Sequence, residues 1–304
     1  NKITAIGQDT FTNIKALDTK NDELFILNDY SIYKYNISGI TRDDLSSFMA
    51  PIEMGRYLID SFGGSGDVSD NIKFANPINI SIYGNNLYVL DQKTDYTKTF
   101  IKKYDLNLNL QSIHNISNNF YQIPTTDIMA SADSVFVLSP SGRLVKYDID
   151  LKNEEIIKLK DIEVLSTGDN YKRLESSKEN PNIFYIMSNK NIFKKFKTKP
   201  LTTIGKFEST RYSPGNHEYA GISITDAIAG TDELFVSDTN NGVIYRFLES
   251  SSYQNSFYDT YESQIFPLSS LQINPQENTN NFTFNKAFSK LLFNHFILKE
   301  NAKA

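Results

Sequence analysis

Short runs of β-branched and aromatic residues alternate with tight polar clusters along this chain. Residues 230–247, GTDELFVSDTNNGVIYRF, show the pattern: Leu234–Val236 and Val243–Tyr245 flank the cluster Asp238–Gly242. Such an arrangement predicts a strand, a turn and a returning strand. Related segments are NDELFILNDYSIYKY (21–35), YGNNLYVLDQ (83–92) with FIKKYD (100–105), ADSVFVLSPSGRLVKYD (132–148) and PNIFYIMSNKNIFKKF (181–196).

The first apolar residues of the central strands are Leu24, Leu87, Val135, Ile183 and Leu234. They recur at intervals of about 50 residues, the range of propellers and other repeat arrays. Each unit has room for about four strands of ~5–6 residues. The first interval is longer, and an inserted loop over 39–60 (GITRDDLSSFMAPIEMG and its flanks) accounts for the excess.

In Leu24–Leu27 and Leu87–Leu90 both strand faces are apolar, as in sheets covered on both sides. Stacking small sheets against one another supplies that cover. The expected fold class is therefore all-β: a β-propeller of five to seven four-stranded blades, six favoured, over residues 1–280. Blade units are expected near 11–38, 75–106, 122–150, 171–198 and 221–248. Either 1–10 or 248–280 supplies a further blade or completes a split one. FYDTYESQIFPLSSLQI (257–273) has the apolar content but no clear strand pair.

After Pro275 the period changes. Phe284, Phe288, Leu291, Leu292, His295, Phe296 and Lys299 follow three- and four-residue steps, which predicts a C-terminal amphipathic α-helix within 281–304, with Asn285 as an N-cap candidate. It either folds back on the propeller or leads to a further domain or oligomer contact.

The stretch SFGGSGDVSDNIKFANPINISIYGNNLYVLDQ (61–92) resembles an NHL repeat. Gly63, Gly64 and Gly66 lead to Phe74, Pro77 and the strand ending Leu87–Asp91. The unit at 221–247 carries the same second half, Leu234–Asp238 and then Val243–Phe247. The third unit departs from the pattern, with Ser139 where an Asp is expected. The Asp that follows the strand, Asp91 or Asp238, is read as holding its turn by accepting local backbone N–H bonds. The segment around NKAFSKLLFNH (285–295) resembles stretches in tail and neck structural proteins of some marine tailed bacteriophages. That resemblance implies a virion component.

Composition narrows the chemistry. The chain has 304 residues, 39% hydrophobic and 13% aromatic, enough for a sizeable core. Net charge is −5 with both signs interspersed. The most basic run is KNIFKKFKTK (190–199), read as the solvated face of an edge strand, so no nucleic-acid partner is expected. There is no cysteine, hence no disulfide or thiolate site. No apolar run reaches the ~18 residues of a membrane span, and no signal peptide is visible, so no membrane partner is expected. The start at Asn1 rather than Met reads as processing or as a piece of a longer protein. Asn-x-Ser/Thr triplets at Asn36, Asn79, Asn115 and Asn281 are what chance supplies in so Asn-rich a chain.

Enzyme motifs are thin. His114, His217 and His295 lie on different units without ligand spacing, and no Gly-x-Ser-x-Gly, Walker loop or His-Glu-x-x-His occurs. Six-bladed calcium-dependent lactonases and hydrolases use Asp, Asn and Glu at a channel mouth, which composition leaves open as an alternative. DQKTDYTK (91–98), the most acidic loop, lacks calcium-loop spacing. No cofactor and no metal are expected.

Two loops are candidate protein-binding sites. ESTRYSPGNHEYAG (208–221) carries Arg211, Tyr212, His217 and Tyr219, and the 39–60 loop with its flank carries Arg42, Arg56 and Tyr57. Tyr and Arg are favoured interface anchors, and long loops carry recognition. The expected function is a non-enzymatic interaction module that contacts other virion subunits and forms a homo-oligomer. A cellular protein-binding NHL scaffold is the further alternative.

Overall fold

The computed structural model describes residues 13–38, 57–159, 170–177 and 180–188, and the strand backbones within 192–198, 201–208, 224–229, 233–238, 243–248 and 264–267. The helix expected in 281–304 lies outside the described residues.

Among the described residues the chain forms five four-stranded antiparallel sheets, each with its strands in chain order. The first contains β1 (Ile14–Lys20), β2 (Glu23–Asn28), β3 (Ser31–Asn36) and β4 (Leu58–Gly63). The second contains β5 (Pro77–Tyr83), β6 (Asn86–Gln92), β7 (Thr99–Asp105) and β8 (Leu110–Asn115), followed by one helical turn, α1 (Ser117–Phe120). The third contains β9 (Asp127–Ser131), β10 (Ser134–Leu138), β11 (Arg143–Asp148) and β12 (Glu155–Lys158). The fourth contains β13 (Tyr171–Ser176), β14 (Ile183–Ser188), β15 (Ile192–Thr198) and β16 (Leu201–Glu208). The fifth contains β17 (Ile224–Ala229), β18 (Glu233–Asp238), β19 (Val243–Leu248) and β20 (Gln264–Pro267). This is an all-β chain of consecutive four-stranded meanders, a propeller-like arrangement.

Every unit is longer than the sequence pattern indicates, because its fourth strand was illegible. Leu58–Gly63 begins inside the segment read as an inserted loop and closes the first sheet. Gln264–Pro267 comes from the stretch without visible strand pairs and closes the fifth. The lysine-rich run 190–199 is no edge strand, because β15 pairs with β14 on one side and β16 on the other. A run of Lys and Phe suits an interior strand as readily as an edge.

The second strands are the most apolar. Phe25, Ile26 and Leu27, then Leu87–Leu90, Val135–Leu138 and Phe184–Ile186 are wholly buried, on both faces of their sheets. Contacts divide the chain into two compact units, the first ending at Ala130 and the second beginning at Ser131. In the first unit Phe25, Leu27 and Ile32 share a core with Ile80, Ile82, Leu87 and Val89 of the next sheet and with Phe74 of the segment that leads to it. Phe62 closes this core, 4.9 Å from the Tyr104 ring and 5.7 Å from Phe74. In the second unit Phe136 and Phe184 stack with centroids 5.1 Å apart.

Irregularities recur in register. The first strand of four sheets carries a bulge at one place, between Ile14 and Ala16, Pro77 and Asn79, Tyr171 and Arg173, and Ile224 and Asp226. A bulge bends the strand and sharpens its twist.

Gly63 has φ +128, and an added Cβ would lie 2.3 Å from the Tyr30 carbonyl oxygen. Gly84 has φ +61 and open space around it. Gly63→Ala is expected to lower stability by roughly 2 kcal/mol or more through strain and clash, and Gly84→Ala by about 1 kcal/mol through strain alone. Urea unfolding midpoints of the two variants check the order.

Candidate functional site

The described polar chemistry concentrates where one sheet meets the next. In β1, the bulged Lys15 reaches across to the second sheet, its Nζ donating to Asn76 Oδ1 and the Pro77 carbonyl at 3.0 Å each. Burial pushes the Lys15 amine down, while Asp29 and Asp91 act the other way. Buried Asp18 accepts the Ile82 N–H of β5 at 2.7 Å and the Thr19 N–H at 2.7 Å. The same geometry returns one sheet later, where Ser81 Oγ accepts the Ala130 N–H of β9 at 3.0 Å. Beside it the Asn79 side-chain amide donates to Asp127. In the second unit Ser131 Oγ donates to the Pro181 carbonyl at 2.6 Å. First-strand polar side chains thus bond the following sheet or its approach.

A second set secures the connecting segments. Asp91 and Lys102 are fully buried and 3.1 Å apart. Asp91 accepts the N–H groups of Ala75 and Asn76, and Lys102 donates to the Lys73 carbonyl at 2.6 Å while lying 4.7 Å over the Phe74 ring. Burial pushes the Asp91 carboxyl up, while Lys102 and the two N–H groups pull it down. The sequence reading gave Asp91 a structural role but in the wrong place: its N–H donors are on the segment entering β5, not in the turn after β6. Next to it, Gln92 donates to Thr99 Oγ1 and the Ile123 carbonyl and accepts the Thr125 N–H, which holds the segment leaving the sheet. Ser139, standing where an Asp was expected, does hold its turn locally, its Oγ accepting the Arg143 N–H at 3.0 Å.

One feature repeats from sheet to sheet. Each second strand has an aromatic residue in register with a basic residue of the third: Phe25 with Lys34, Tyr88 with Lys103, Phe136 with Lys146, Tyr185 with Lys195 and Phe235 with Arg246. Lys34 lies 5.6 Å from the Phe25 centroid and Lys103 6.0 Å from that of Tyr88, within cation–π range. The signal was present as a basic residue followed by Tyr or Phe near the end of every returning strand. Lys34 also pairs with Glu23 at 2.8 Å and donates to the Leu106 carbonyl of the second sheet at 2.7 Å.

Of the residues read as protein-binding, Arg42, Arg56, Arg211, Tyr212, His217 and Tyr219 lie outside the described residues. Tyr57 stands just before β4, half-buried. His114 is in β8, half-buried, and His217 and His295 lie outside the described residues. Among the described residues no three His, Asp or Glu side chains gather as metal ligands. In the acidic loop, Asp95 accepts the Thr97 N–H and hydroxyl and pairs with Lys93 at 2.9 Å. The Thr97 hydroxyl bond leads the causes that hold this carboxyl well below the usual range.

No protein-family model and no curated protein matches this chain. Among solved structures, KlHsv2 with loop 6CD replaced by a Gly-Ser linker is similar at a TM-score of 0.48 and 12% identity, over 83% of this chain and 70% of that one. A likeness of that size carries nothing about function.

Lys102→Met leaves Asp91 buried without its cation and is expected to cost about 3–5 kcal/mol. In that variant burial raises the Asp91 carboxyl unopposed by Lys102. The folded state then holds the proton more tightly than the unfolded chain. Stability is greatest below the unfolded carboxylate range and falls as pH rises through the raised one. Thermal unfolding of Lys102→Met across acidic pH, compared with Lys102→Met/Asp91→Asn, reads this slope, which the second variant lacks.

Proposed function

We propose that this chain is a non-enzymatic structural and interaction module, an NHL-like β-propeller of five to seven blades, six favoured, working in a tailed-phage virion. The observation that carries the reading is the polar seam. Lys15, Asp18 and Ser81 of first strands bond the following sheet or its approach, and Asp91 and Lys102 of β6 and β7 bond the segment that enters their own sheet. Groups so engaged stiffen a scaffold, and loops on a stiff scaffold bind without a large ordering cost.

The virion setting is drawn from the C-terminal resemblance and from the Asn-, Lys- and Ile-rich composition. In this reading Arg42, Arg56 and Tyr57 on one loop, and Arg211, Tyr212, His217 and Tyr219 on the other, contact neighbouring virion proteins.

The test is the mass of the native assembly containing this chain, with metal content measured on the same sample. A large symmetric assembly without stoichiometric calcium is the expected result. A monomer holding one calcium per chain overturns it in favour of a propeller hydrolase, to be assayed on esters and lactones.

A further inference from the structure

We propose that the outer strand of the third sheet, β12, is a homotypic docking edge that pairs antiparallel with β12 of a second copy of this chain. Three observations single it out.

The first is the state of the edge. β12 ends its sheet and, among the described residues, pairs on one side alone. Outer strands of other sheets are blunted. β4, β8 and β16 each slip register against the third strand, at Lys34/Tyr35, Lys103/Tyr104 and Lys195/Phe196, and β20 ends on Pro267. Bulges and prolines keep a sheet edge from pairing with another chain. β12 has neither, and runs in unbroken register with β11 from Arg143↔Lys158 to Lys146↔Glu155.

The second is an apolar residue at its centre. Ile156 is 49% exposed. Exposed Ile59 of β4 is accounted for, since it is the extra residue of a bulge. Ile156 sits in regular strand opposite buried Val145, and its outward half lies uncovered at the edge.

The third is charge, and it names the occupant. Ile156 and Lys158 share a face of the strand, and Glu154, just before β12, is held on that side by its bond to Tyr147. An antiparallel pairing about a two-fold axis through Ile156 keeps the faces of both copies aligned. It sets Ile156 beside its own copy and places Glu154 opposite the partner subunit's Lys158 twice over. At home Lys158 faces Arg143, a like charge, directly across the sheet. The Tyr147 hydroxyl donates to Glu154 Oε2 at 2.9 Å and fixes that carboxylate next to the edge. The segment is thus complementary to itself, with an apolar centre between two ion pairs of opposite sense. In the pairing with β11, Lys158 stands opposite Arg143, and the second copy sets an acid across from it.

The pairing would continue a four-stranded sheet into an eight-stranded one across the two-fold. It goes beyond the virion reading and does not need it, since the dimer forms away from any particle.

The experiment is sedimentation velocity of the full chain over a wide concentration range, with far-UV circular dichroism and thermal unfolding to confirm the fold of each variant. The wild type is expected to show a concentration-dependent dimer. Lys158→Glu or Glu154→Lys alone turns both ion pairs into like-charge contacts and is expected to weaken it about tenfold. Glu154→Lys/Lys158→Glu restores the complementarity and returns the dimer towards the wild-type affinity, whereas Ile156→Lys abolishes it. Without any variant, amides of 154–158 in the wild type should gain hydrogen-exchange protection as concentration rises. A wild type that stays monomeric, a dimer indifferent to the single reversals, or a double swap as weak as either single change would each overturn the proposal.

Discussion

A four-stranded sheet with two apolar faces has no stable existence in water by itself, and that constraint governs this chain. Leu87, Tyr88, Val89 and Leu90 of β6 are all wholly buried, although successive residues point to opposite faces. Each such side chain contributes about 1.5–3 kcal/mol only when its own face is covered. The cover comes from the next sheet, as in the core that joins Phe25 and Leu27 to Ile80, Ile82 and Val89. The repeat along the sequence is therefore a repeat of incomplete units.

Packing sheets this closely creates a second demand. The segments between sheets must pass beside apolar faces, and their N–H and C=O groups need partners there. Asp91 takes two of the N–H groups, Lys102 takes the Lys73 carbonyl, and Gln92 ties the segment on the other side. A buried ion pair is a poor source of stability compared with apolar packing. Its effect here is to fix where the connection runs, and so where the following sheet starts. The seam of Asp18 and Ser81 extends that control to the first strands themselves.

The outer strands obey different physics. They contribute least to the core and carry the free hydrogen-bonding edges. Bulges against β4, β8 and β16 twist three of those edges out of line, and the bulge in the first sheet is what leaves Ile59 exposed. The straight register and exposed isoleucine of β12 stand out against that background.

The sequence by itself determined the parts of each unit whose pattern is local. Second and third strands were legible because a short apolar run, a polar turn and a returning run are adjacent in the chain. The period of the array followed from their spacing. Fourth strands were not legible. Leu58–Gly63 and Gln264–Pro267 are half-exposed or short, lie beyond long connections, and become strands by pairing with β3 and β19. A Lys-rich run suits an edge and an interior strand alike, and for β15 the second neighbour, β16, decided the matter. The pairing of a basic with an aromatic residue in every described sheet was written in the Lys-Tyr, Lys-Phe and Arg-Phe steps, yet its meaning depended on register. Only the tertiary structure chose the partners of the buried charges, because Asp91 meets Ala75 and Asp18 meets Ile82 across distances that no local pattern encodes.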